Sequence, residues 1–175
     1  PNVQIEKVGP TDIIVTYEPH KKKNQFAQWV KIIFVVAITF FGAAFSIMAF
    51  CGRGSKLACP DITYGFYPVY ADLFGVDLTE VPLKDDFSLD IESFKGKNKL
   101  VVIANPNAPT GIELPQEDII RILESDPARI VVVDEAYVDF GAKSAVSLLG
   151  KYPNLLVTQT FSKSRSMAGA RLGFG

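Results

Sequence analysis

Leu100–Gly111 reads LVVIANPNAPTG: five apolar residues rich in β-branched side chains, then a turn carrying two prolines and a glycine. A short, continuously apolar run closed by turn residues is the signature of a strand buried on both faces, as in a parallel sheet. Pro106, Pro109 and Gly111 set a rigid turn, and the amides of Asn105 and Asn107 stand in it as donors. The next segment, Pro115 to Glu124, has the period of an amphipathic helix. Ile119, Ile120 and Leu123 lie on its buried side and Pro115 in its first turn. Ile130 to Val133 is a second buried run, ending in Asp134-Glu135, and Leu155 to Thr158 a third. Strands alternating with helices predict βαβ units with right-handed crossovers. The fold class is therefore α/β, a mostly parallel sheet with helices on both faces. Ligands in such sheets bind outside the carboxyl ends of the strands, so chemistry is expected just after Ala104, Val133 and Thr158.

Flanking segments extend the pattern. Lys56 to Cys59 reads as a strand closed by Pro60, Phe66 to Phe74 as a helix stopped by Gly75, and Val76 to Leu83 as an alternating strand. Leu89 to Phe94 reads as a helical turn, Ser144 to Leu149 as helical, and Ser166 onward as a further helix. Periodicity is weak before Gln28, where Ile13-Ile14-Val15 suits a short strand and Glu18 to Asn24 a charged turn. Ile32 to Phe50 is almost wholly apolar and flanked by Lys21, Lys22, Lys23, Lys31, Arg53 and Lys56. Its length meets the ~20 apolar residues of a membrane-spanning helix. Its aromatic and β-branched content, with Gly42 inside, equally suits a buried segment of a core, and both readings stand at this point.

A chain of 175 residues supports one good core. Lys and Arg number 18 against 19 Asp and Glu, without a basic stripe, which argues against nucleic acid as a partner. Cys51, Cys59 and His20 have no zinc-ligand spacing and are too few for a disulfide framework, so no metal site is expected and a reducing cytoplasm is the default compartment.

The strand ends carry the chemistry. After the first comes the Asn-Pro turn, which by itself reads equally well as a plain strand-to-helix connection. After the second comes Asp134-Glu135-Ala136-Tyr137. An acid ending an apolar strand needs a cation or donors to offset its desolvation. Magnesium-binding acids of nucleotide hydrolases share this pattern, but they need a Gly-x-x-x-x-Gly-Lys-Ser/Thr loop upstream, and Gly52-Arg53-Gly54-Ser55-Lys56 does not fit it. After the third come Thr160, Ser162 and Lys163, with Arg171 beyond. They offer two hydroxyls, an amine that is nucleophilic once deprotonated, and a planar fork suited to a phosphate. Any one of these is commonly a solvated loop residue; the three together in this order are not.

Asn105-Pro106-Asn107-Ala108-Pro109-Thr110-Gly111, Asp134-Glu135-Ala136-Tyr137 and Ser162-Lys163 with Arg171 resemble the fold-type I pyridoxal-phosphate aminotransferases. PDITYGFY at 60–67, DEAYVDF at 134–140 and AGARLGF at 168–174 are similar to the histidinol-phosphate branch. The resemblance runs from about Met48 to Gly175. It implies pyridoxal 5'-phosphate as cofactor and Lys163 as the Schiff-base lysine that also moves the substrate proton. It implies Asp134 as partner of the pyridine nitrogen, where a carboxylate keeps the ring protonated and electron-accepting. Tyr137 would bond the phenolic oxygen, Tyr64 would stack on the ring, and Thr160, Ser162 and Arg171 would hold the phosphate. The implied reaction is ping-pong amino transfer between a small-molecule donor, histidinol phosphate or glutamate, and a 2-oxo acid, in a homodimer.

The chain departs from the family pattern in three places. Ala108 stands where many members have the asparagine that contacts the phenolic oxygen, leaving Asn107 as the nearest substitute. The glycine-rich phosphate turn expected before Met48 is replaced by Val36-Ala37-Ile38-Thr39-Phe40-Phe41, so residues 1–47 read as a divergent segment. Residues 48–175 then read as a partial cofactor-binding large domain without the C-terminal small domain. The rival expectation is an inactive remnant attached to a membrane through residues 32–50.

Overall fold

The computed structural model describes Asn2–Lys7, Ile13–Glu18 and residues 42–96, 98–170 and 172–175. The chain forms two units, Pro1–Val35 and Val36–Gly175. In the first, β1 (Asn2–Lys7) pairs antiparallel with β2 (Ile13–Glu18), in register from Asn2↔Glu18 to Lys7↔Ile13. The strand expected at Ile13–Val15 thus runs on to Glu18.

The second unit follows the βαβ reading closely. Its elements are α1 (Gly42–Phe50), β3 (Lys56–Pro60), α2 (Phe66–Phe74), β4 (Asp77–Val81), β5 (Leu100–Ala104), α3 (Gln116–Ser125), β6 (Ile130–Asp134), β7 (Leu155–Thr160) and β8 (Gly173–Phe174). They build a six-stranded sheet in the order β4-β3-β5-β6-β7-β8, parallel throughout except for the last, antiparallel pair. Short 3-10 turns at Ile91–Phe94 and Ala145–Leu148 occupy the two segments read as helical.

Alternation along the central strands divides the core into two layers, because successive side chains leave opposite faces. Val101, Ile103, Val131, Val133 and Val157 pack with Ile119, Ile122 and Leu123 of α3 on one face. Leu100, Val102 and Val132 pack on the other with Ile47 of α1 and with Tyr67 and Ala71 of α2. The sheet is therefore covered on both faces. On α3, Ile122 occupies the buried position and Ile120 is only half-buried.

One expectation changes. The segment from Ser166 onward is not a helix: one 3-10 turn, Ala168–Ala170, leads into β8, which folds back on β7 with Gln159↔Phe174 and Thr160↔Gly173. Gly169 and Gly173 disfavour continued helix, and the Phe161 amide is taken by the Leu172 carbonyl. Within the apolar stretch, residues 32–41 lie outside the described residues. The remainder is the nine-residue α1, with Ile47 fully buried and Ala43 and Ala44 buried beside it. No helix among the described residues is long and apolar enough to cross a membrane.

Candidate active site at the carboxyl strand ends

Register brings three strand ends level. Ala104 lies opposite Asp134, and Asp134 opposite Thr158. The ladder continues one step beyond, with the Asn105 amide donating to the Asp134 carbonyl at 2.9 Å and the Glu135 amide to the Thr158 carbonyl at 2.7 Å. The loops that leave this rim carry the residues singled out above.

The two adjacent acids have different surroundings. Glu135 is buried and saturated: it accepts from Ser144 Oγ at 2.7 Å, from Gln159 Nε2 at 2.7 Å and from the Ala145 amide. It pins the loop after β6 to β7. Asp134 has only neutral partners: Tyr67 Oη donates to Oδ2 at 3.0 Å, Thr158 Oγ1 to Oδ1 at 3.4 Å, and the Ala136 amide also donates to the carboxyl. Burial pushes the Asp134 carboxyl above the ordinary aspartate range, with these hydrogen bonds opposing the rise. A desolvated carboxylate without a cation is a receptor for one.

Tyr67 is the residue at this site that motif reading overlooked. Fully buried on the inner side of α2, it has its hydroxyl held in the phenol form by desolvation and then by the Asp134 charge. The available signal was a tyrosine on the buried face of a helix, whose hydroxyl requires a partner at a strand end. Tyr64, before the helix, is exposed; its ring stacks on Phe66 at 5.6 Å and meets Tyr67 edge-on at 5.4 Å. An aromatic face and a half-buried carboxylate are thus joined through Tyr67.

Lys163 and Tyr137 also come together, with Nζ 5.0 Å from the centre of the Tyr137 ring. Lys163 is exposed and Tyr137 half-buried. Thr160 and Ser162 are half-buried; Thr160 Oγ1 accepts from the Ser162 amide at 3.1 Å and donates to the Leu172 carbonyl at 3.3 Å. Arg171 lies outside the described residues. Asn107 is buried and turned into the fold: Nδ2 donates to the Ile62 carbonyl at 2.9 Å and to Thr110 Oγ1 at 3.0 Å, while Oδ1 accepts from Thr63 at 2.8 Å. One amide proton fastens the Asn-Pro turn to the loop that carries Tyr64, and the other closes the turn on Thr110. No group of His, Cys, Asp and Glu among the described residues is arranged to hold a metal ion.

Comparison with known proteins agrees with this fold. The family model for aminotransferase class I and II matches residues 17–175. Histidinol-phosphate aminotransferase from Acetobacter pasteurianus is 53% identical over 131 residues, 75% of this chain and 37% of the relative. Histidinol-phosphate aminotransferase 1 from Oceanobacillus iheyensis is 52% identical over the same shares. The chain thus spans little more than a third of the length of these relatives. Among solved structures, the histidinol-phosphate aminotransferase from Clostridium acetobutylicum superposes with a TM-score of 0.72 at 25% identity, covering 81% of this chain and 43% of that one. The one from Sinorhizobium meliloti, in complex with pyridoxal-5'-phosphate, gives 0.68 at 26% identity, covering 75% and 38%. With the family model reaching across both the strand-end motifs and the sheet that levels them, the chain belongs to the aminotransferase class I and II family.

Proposed function

We propose that this chain carries the pyridoxal-phosphate-binding part of a histidinol-phosphate aminotransferase, one that exchanges an amino group between histidinol phosphate and 2-oxoglutarate. The observation that carries the reading is Asp134, a desolvated carboxylate held by Tyr67 and Thr158 at the level of three strand ends. Such a group fits a ring N–H cation better than it fits water. The substrate is inferred from relatives 52–53% identical, whose names specify histidinol phosphate. When bound, pyridoxal phosphate supplies an electron sink for a substrate carbanion.

The chain's own residues divide the remaining work. Asp134 holds a proton on the ring nitrogen by pairing with it. Tyr64 offers a flat face to the ring, and Tyr137 a phenol for its phenolic oxygen. Lys163 provides the amine that anchors the ring and carries a proton to and from the substrate carbon. Thr160 and Ser162, with Arg171, form the phosphate end, and Asn107 acts by fixing the Tyr64 loop to the Asn-Pro turn. A homodimer is part of the proposal, supported by the exposed apolar side chains of Phe66, Val69 and Leu73 along α2.

The test is an absorbance spectrum of the purified chain with added pyridoxal phosphate, before and after borohydride, beside Lys163→Ala. A new band that borohydride converts into covalent mass on Lys163 supports the reading. No band, or one unchanged in the variant, leaves the ancestry intact and makes this polypeptide an inactive member.

A further inference from the structure

Lys163 stands on a turn with little inherent rigidity, so something must hold its amine over Tyr137. The turn is exposed from Lys163 to Met167 and closed by two backbone bonds, Ser166 N–H to the Lys163 carbonyl at 3.0 Å and Met167 N–H to the Phe161 carbonyl at 2.9 Å. Ser166 has φ of 53°, in the left-handed region that a residue with a side chain adopts only when its surroundings require it. A long lysine side chain on such a turn samples many rotamers.

The lateral anchor comes from the loop after β6. Asp139, in the 3-10 turn Val138–Phe140, accepts through Oδ2 from Ser164 Oγ at 2.5 Å and from Arg165 Nε at 3.1 Å. The Arg165 guanidinium lies 4.7 Å from the centre of the Phe161 ring and 5.6 Å from that of Phe174, and these rings meet edge-on at 5.6 Å. One carboxylate therefore ties together the residues one and two places beyond Lys163, and Arg165 carries the tie down to the β7–β8 pair. An isolated exposed ion pair contributes little. Here the hydroxyl and guanidinium share one acceptor, and the guanidinium is flanked by two rings. The two loops are joined in step, Tyr137 with Lys163 and Asp139 with Ser164 and Arg165.

We propose that Asp139 is a positioning residue, fixing through Ser164 and Arg165 the turn that keeps the Lys163 amine over Tyr137. The proposal rests on reading Lys163 as the reactive amine. It is tested on the full chain with two readouts. The first treats wild type, Asp139→Ala and Asp139→Asn with pyridoxal 5'-phosphate and then borohydride, and maps the ratio of label on Lys163 to label on the exposed Lys151. The second follows amide hydrogen exchange at Ser166 and Met167 without cofactor. Asp139→Ala is expected to lower the labelling ratio by about tenfold or more, since a small misplacement of a reacting group is costly, and to speed exchange at both amides. Asp139→Asn should fall between. Arg165→Met, which keeps an apolar side chain beside the rings, covers the case in which Asp139→Ala fails to fold and should move both readouts the same way. Unchanged exchange and an unchanged ratio in these variants overturn the role of Asp139. A wild-type chain that shows no preference for Lys163 over Lys151 overturns instead the reading of Lys163, whatever the exchange shows.

Discussion

At the scale of single residues, the site is a place where folding and binding pull in opposite directions. Burial holds the Asp134 carboxyl above the range it has in the unfolded chain. Folding therefore favours its protonated form, and that contribution is complete below the unfolded pKa and lost as pH rises through the folded one. Above the folded pKa the cofactor-free chain carries a desolvated charge with only neutral donors. Asp134→Asn, which keeps the shape and the bond from Tyr67, should raise the melting temperature at pH 7. The gain should shrink to nothing near pH 4, the ordinary range of an aspartate at about 3.9. Thermal melts across that window check this, and a variant less stable than wild type at neutral pH would mean that Asp134 is not a strained charge. The same variant should lose the absorbance response to pyridoxal phosphate. Tyr67→Phe acts from the other side: it removes a donor that favours the carboxylate. A hydrogen bond to a charged group contributes about 1.5–3 kcal/mol, so cofactor affinity should fall by about 10- to 100-fold in a spectroscopic titration.

At the scale of elements, the strands were the most legible part of the sequence. Leu100–Ala104 has the predicted bounds, and Phe66–Phe74 ends where Gly75 was read as a stop. Period and punctuation suffice where burial is two-sided or a glycine ends a helix. They did not suffice after Ser166. There, pairing with β7 overrode local helical pattern, a tertiary contact that no window of sequence reports. Asp134, Tyr137 and Lys163 were legible as motifs because each follows an apolar strand. Tyr67 and Asp139 were not, because what matters in them is a partner 67 residues away in one case and 25 and 26 in the other. The end of α2 gives a test at this scale. Gly75 has φ of 64° and closes the helix with bonds from its amide to the Ala71 and Asp72 carbonyls, and an added Cβ would meet Arg53 Cγ at 3.3 Å. Gly75→Ala should cost about 1 kcal/mol of stability, read from urea unfolding, because a side chain is strained in that conformation. Equal stability would show that α2 can end elsewhere.

At the scale of the whole molecule, α2 faces two ways. Tyr67 and Ala71 point into the core, while Phe66, Val69 and Leu73, at spacings of three and four, are each at least half exposed. Phe66 also stacks on Tyr64, so this apolar stripe runs into the aromatic end of the site. An exposed apolar stripe that runs into a site is a candidate interaction face. If the face belongs to a homodimer, closing it shields Tyr64 and the cofactor ring, and assembly and cofactor binding should be linked. Anything that binds the assembled form alone shifts the equilibrium toward it. Sedimentation equilibrium of the wild-type chain should then show self-association that strengthens with pyridoxal phosphate. Leu73→Lys, at a side chain 70% exposed, should leave the fold unchanged, yield a monomer, and weaken cofactor binding although Leu73 has no assigned part in holding the ring. A variant that stays monomeric yet binds cofactor as wild type would separate the two properties and leave the α2 face without a part in the site.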